Sequence, residues 1–154
     1  MRKQPIQSVS ELPSAPMWLD LRDLATVEIS SEDVDHPIES ALIPDGGPGW
    51  QAAQSGKQAI RLVFDEPINI NRILLRFEEQ EHGRTQEFVL RWLSQSQPPR
   101  EIVRQQYTFS PPETNQEIEN YGVKLSRVMA LELEIVPDIG GGGAYASLAE
   151  MRLA

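Results

Sequence analysis

Cysteine is absent from the 154 residues, which excludes disulfide staples, zinc-thiolate sites and cysteine nucleophiles together and points to a reducing compartment. Long apolar runs are missing too. The opening MRKQPIQSVSELPSAP carries basic residues without an apolar stretch of signal-peptide length, and no later segment approaches a membrane span. The expectation is a soluble, cytoplasmic protein with no membrane partner. Positive charge is scarce: fourteen Lys and Arg face twenty-three Asp and Glu, for a net charge of −9. A surface of that sign repels phosphate backbones, and no local basic cluster reverses it, so nucleic acid is excluded as a partner. Most of the positive charge is arginine, whose planar fork suits bidentate contacts to carboxylates and hydroxyl-rich ligands. Catalytic signatures are absent as well. There is no Gly-x-Ser-x-Gly elbow and no His-Glu-x-x-His, and GGGG is not followed by the Lys-Ser/Thr of a phosphate-binding loop. The sequence is read as non-catalytic.

What is present is alternation with a period of two. LATVEIS sets Ala25, Val27 and Ile29 against Thr26, Glu28 and Ser30. QAIRLVF aligns Ile60, Leu62 and Phe64, NRILLRF aligns Ile73, Leu75 and Phe77, and EFVLRWL aligns Phe88, Leu90 and Trp92. VMALELEIV turns Met129, Leu131, Leu133 and Ile135 inward and leaves Glu132 and Glu134 to water. The expected core includes Val27, Ile29, Leu62, Phe64, Leu75, Phe88, Leu90, Leu131 and Leu133. Between these runs lie the turn signals DEPIN, EHGRT, SQPP, SPPETN and PDIGGGG. Short strands at this spacing, separated by Pro, Gly and Asn, predict an all-β sandwich or barrel. The chain length fits one domain. Residues 24–154 are assigned to the sandwich, and residues 1–23 to an irregular segment packed on it, with a short helical turn at MWLDLRD.

ALIPDGGPGWQ, residues 41–51, is too rigid for a linker and too irregular for a helix. One reading is a tight loop in which glycines supply positive φ, Asp45 caps the turn, and Trp50 plugs the core beneath.

The succession ISS, ESALIPDGGPGW, QAIRLVFDEPINI, ILLRFEE, RTQEFVLRW, ALELEIVPD, ASLAEMRL resembles the discoidin, or coagulation-factor type C, domains and related carbohydrate-binding modules of the galactose-binding-like superfamily. The resemblance spans Leu24 to Leu153. It implies an eight-stranded jelly-roll sandwich with ligands taken by loops at one rim. It also implies a structural calcium ion shared by Asp45 and Glu150 with loop carbonyls, chemistry that a hard, oxygen-seeking cation allows. The glycine and proline of DGGPGW depart from the family pattern, and the metal-free loop stays open beside it. By location, the resemblance puts ligand contacts in SSEDVDHP, EEQEHGRTQ and PDIGGGGAY. Within them His36, Glu79, His82, Arg84 and Tyr145 provide the polar groups and aromatic face that a sugar site needs. The alternative for Glu79, Glu81 and Arg84 is a solvated charged turn. The expected function is a binding module for a carbohydrate or similar polyhydroxylated ligand. A protein-protein interaction or assembly domain on the same scaffold is the second reading.

Overall fold

The computed structural model describes residues 17–44 and 47–154. Their strands are β1 (Ala25–Ile29), β2 (Trp50–Ser55), β3 (Gln58–Glu78), β4 (Arg84–Ser94), β5 (Gln97–Phe109), β6 (Gln116–Val136), β7 (Tyr145–Leu148) and β8 (Glu150–Leu153). One turn of helix, α1 (Glu39–Leu42), interrupts the connection from β1 to β2. All strand pairs are antiparallel, and together they form a β-sandwich. One sheet runs β1-β3-β6-β4-β5, with β8 also on β3; β2 and β7 form a separate pair. No helix among the described residues is long and apolar enough to cross a membrane.

The two longest strands explain how one chain serves both layers. The first half of β3 lies between β1 and the end of β6, whereas its second half lies between the start of β6 and β8. The exchange happens where the β3–β6 register slips, between Val63 and Arg72. Inward-facing positions change parity across the slip, from Ile60, Leu62 and Phe64 to Ile73, Leu75 and Phe77. Opposite the slip, Arg127 has a left-handed φ of 54°. Such irregularities bend a strand and re-aim its side chains.

DEPIN is therefore no turn between two strands. It is the bend inside one strand, and QAIRLVF and NRILLRF are its two arms. Met129 is corrected by the same bend. It is 37% exposed, and Val128 is buried in its place. In SQPP the prolines sit inside β5 rather than in the turn, tolerated because β5 is an edge strand with no ladder on its outer side. Of the expected core, Leu62, Phe64, Leu75, Phe88, Leu90, Leu131 and Leu133 are buried. Val27 and Ile29 are only half-buried, because β1 is an edge strand that pairs with β3 alone.

Residues 1–16 lie outside the described residues. From Met17 onward the approach to β1 is irregular, with a 3-10 turn at Leu21–Asp23 capped by the Asp20 carboxylate. The Leu19 N–H donates to Leu153 O at 2.8 Å, and Leu21 is buried in the core.

Trp50 is the core plug that the loop reading predicts. It is 1% exposed, and its indole N–H donates to Ser31 O at 3.1 Å. Gly49 before it has φ 97°, and a Cβ there would stand 2.7 Å from Leu148 O. Only glycine permits the loop to lie this close to the β7–β8 corner.

Candidate functional site

At one end of the sandwich three loops converge: residues 33–36 after β1, residues 79–83 between β3 and β4, and residues 137–144 between β6 and β7. Between them lies a groove of about 810 Å³. His36, Glu79, His82, Arg84 and Tyr145 all line it. These five residues come from segments more than a hundred positions apart, and the antiparallel topology gathers them.

Arg84 and Glu79 hold the groove together. The Glu79 carboxylate accepts from Arg84 Nε at 2.7 Å and from the backbone N–H of Glu81 and His82, curling loop 79–83 around itself. Arg84 Nη1 donates to Pro137 O at 2.8 Å, which fixes the start of the neighbouring loop. The guanidinium also rests 4.8 Å from the Phe109 ring centroid. The Arg84 side chain is only 2% exposed, so the reading as a solvated charged turn does not hold for this pair. Burial opposes the charge on Glu79, but the hydrogen bond from Arg84 and the two backbone donors prevail, and its pKa is lowered. Nε and Nη1 of Arg84 are thus engaged within the protein.

A buried polar chain continues inward. Arg84 Nη1 donates to Gln86 Oε1, and Gln86 Nε2 donates to Glu117 Oε1, both at 3.2 Å. Glu117 is 2% exposed, and its Oε2 has no hydrogen-bond partner among the described residues. Burial, then the negative charge of Glu119, push its pKa up to about 7 against the weaker pull of Gln86 and Arg84.

The other predicted residues are placed differently. Tyr145, the first residue of β7, is 47% exposed at the groove wall. His36 is half-buried, with Nδ1 2.7 Å from Asp33 Oδ2. The carboxylate can only accept, so Nδ1 is the donor of this contact. That contact also lowers the pKa of Asp33. The His82 side chain is 80% exposed at the tip of its loop.

Sequence reading passed over Gln51, Asp138 and Ser147, which also line the groove. Ser147 was legible, because alternation along YASL puts it on the same side as Tyr145 while Ala146 and Leu148 are buried. Gln51 was not, because it enters only through its pairing with Ser147 ninety-six residues later.

The corner expected to hold calcium brings the end of α1 beside β8. Asp45 lies outside the described residues. Glu150 Oε2 is 3.4 Å from Arg152 Nη2, and Arg152 Nη1 donates to Ala41 O at 2.8 Å and to Met151 O at 2.9 Å. The described part of the corner thus surrounds a buried guanidinium that engages Glu150 Oε2 and the carbonyls of Ala41 and Met151. Among the described residues no group of three or more His, Cys, Asp or Glu could hold a metal.

No family model and no curated protein matches the sequence. Solved structures do. The family 32 carbohydrate-binding module of NanJ from Clostridium perfringens, in complex with galactose, is 14% identical, with a TM-score of 0.62 over 88% of this chain and 96% of that one. The corresponding module of AlyQ, in complex with 4,5-unsaturated mannuronic acid, is 16% identical, with a TM-score of 0.63 over 90% and 98%. A further C. perfringens module of this family, bound to GalNAc-β-1,3-galactose, is 16% identical, with a TM-score of 0.63 over 89% and 99%. The chain has the galactose-binding-like β-sandwich fold of the family 32 carbohydrate-binding modules.

Proposed function

We propose that the chain is a non-catalytic carbohydrate-binding module and that its rim groove takes the saccharide. The observation that carries this reading is the groove's composition. A half-exposed tyrosine stands among fixed polar groups, with Gln51, Ser147 and Asp138 beside it. A sugar presents an apolar ring face and a rim of hydroxyls, and these groups match both. The structurally similar modules solved with galactose, a mannuronic acid derivative and GalNAc-galactose support the same reading. In it Tyr145 offers the stacking face and His36 Nε2 an acceptor. His82 and the carbonyls of loop 79–83 face the ligand's edge, and Arg84 with Glu79 keeps that loop in shape.

Tyr145→Ala is expected to weaken saccharide binding by about 1 to 3 kcal/mol, the scale of losing a well-packed aromatic contact. Its melting temperature should stay near the wild type, because the ring is half exposed and its hydroxyl has no hydrogen bond among the described residues. The check is a glycan screen followed by calorimetry on the best binder. Unchanged affinity would remove Tyr145 from the site.

We infer further that Arg152 supplies, in the corner of α1 and β8, the positive charge that the family resemblance assigns to calcium. The support is its bonds to Ala41 O and Glu150. Neither added calcium nor a chelator should then move the wild-type melting temperature, because only a ligand bound to the folded state stabilises it. A rise with calcium that a chelator reverses would restore the metal.

A further inference from the structure

Ten arginines lie among the described residues, and seven of them have a carboxylate oxygen within 4 Å. In a chain of net charge −9 this is the ordinary fate of a guanidinium. The three not so paired among the described residues are Arg72, Arg100 and Arg127. Arg72 donates to Asn120 Oδ1 at 3.0 Å. Arg100 and Arg127 line one concavity of about 470 Å³, together with Ser94, Gln95, Ser96, Ser126, Pro67 and Met129. No carboxylate lines it.

Both arginines are set in place by their surroundings. The Arg100 guanidinium stacks 3.9 Å over the Trp92 ring, and its Nη2 reaches Ser94 Oγ at 3.4 Å. That stack orients the fork and leaves most of its donors to solvent. Arg127 is the one described non-glycine residue with positive φ, 54°, and Asn69 Oδ1 holds its backbone N–H at 3.1 Å. A left-handed arginine inside a strand is a local cost that the bend imposes, and it directs this side chain to the concavity. The turn Gln95–Ser96 and the bend at Ser126 add hydroxyl and amide groups to the lining. The place is remote from the rim groove. Strand β4 begins at Arg84 in the groove and ends at Ser94 in the concavity, a strand length of about 30 Å.

We propose that this concavity is a second binding site, specific for a ligand bearing an oxyanion, either a sulfate or a carboxylate group. Two guanidinium forks without internal counter-ions supply the charge, and the serines and Gln95 supply neutral donors. Distant acids do not cancel this local field, because at about 0.1 M salt charges are screened beyond about 10 Å.

The test uses the 15N-labelled whole chain at moderate ionic strength, titrated separately with inorganic sulfate, galacturonate and neutral galactose. Saturable amide shifts are expected at residues 94–96 and 126–129 with sulfate or galacturonate, and none there with galactose. Which of the two anions binds more tightly identifies the oxyanion. An Arg100→Gln, Arg127→Gly double variant should lose at least tenfold in affinity, glycine being chosen because it accepts the left-handed backbone. Arg72→Gln, which removes the third such arginine outside the concavity, should change nothing. Circular dichroism confirms folding, and Arg100→Gln alone serves if the double variant unfolds. Absent or non-saturating shifts at these residues, or an equal loss in Arg72→Gln, would overturn the site.

Discussion

Arg84→Ala is expected to destabilise the protein by about 3 to 5 kcal/mol, the cost of breaking a buried ion pair by removing one partner. The wild-type guanidinium satisfies the Glu79 carboxylate, Gln86 Oε1 and Pro137 O at once. Its removal leaves a largely buried negative charge without a cation and two acceptors without a donor. For a domain of this size the melting temperature should fall on the order of 10 °C. Glu79→Ala in the same background should recover part of the loss, because the stranded charge disappears with it; a double-mutant cycle reads that coupling. Binding at the rim should weaken too, since loops 79–83 and 137–144 both lose their anchor. Thermal melts of the four proteins of the cycle are the check. An Arg84→Ala variant within about 1 kcal/mol of the wild type, the range of an ordinary surface pair, would mean that the pair is incidental.

Glu117→Gln should stabilise the protein by up to about 3 kcal/mol above neutral pH and by almost nothing near pH 4, since a tenfold change in proton affinity is worth about 1.4 kcal/mol. The folded pKa of Glu117 is raised from 4.5 to about 7, so the folded state binds this proton more tightly than the unfolded chain. Stability from this group is therefore fully present below about pH 4.5 and declines as pH rises to about 7. Glutamine keeps the oxygen that accepts from Gln86 Nε2 and has no charge to bury. Subtracting the variant's stability from that of the wild type, pH by pH, cancels the other titrating groups. A difference that stays flat from pH 4 to 8 would contradict the buried, proton-holding carboxyl.

Where the fold was legible, the reason was local. Leu131, Leu133 and Ile135 alternate with glutamates inside one short run, and Trp50 follows glycines whose conformations the loop demands. Where reading failed, the cause was non-local. DEPIN has the composition of a turn, yet hydrogen bonds to β6 carry the chain through it as a bend. Met129 fits the alternation of its neighbours until Arg127 shifts the phase. The rim residues were found by residue type and by resemblance, but sequence does not say which charges are buried. Glu79 and Arg84 read like His82 in a polar loop, and only the packing of Phe109 and Pro137 around Arg84 separates a buried anchor from an exposed side chain. Glu117 gave no signal at all. Beside the apolar Ile118 it reads as the outward residue of the pair, yet Ile118 is 54% exposed and Glu117 is buried.

The proposed saccharide site is tested most directly by amide chemical-shift mapping with a saccharide, galactose first and then the tightest binder of the glycan screen. Saturable shifts are expected at Gln51, loop 79–83, Tyr145 and Ser147, the residues that line the rim groove, and they should weaken sharply in Tyr145→Ala. Saturable shifts confined to another face of the sandwich, or no saturable binding of any saccharide in the screen, would contradict it.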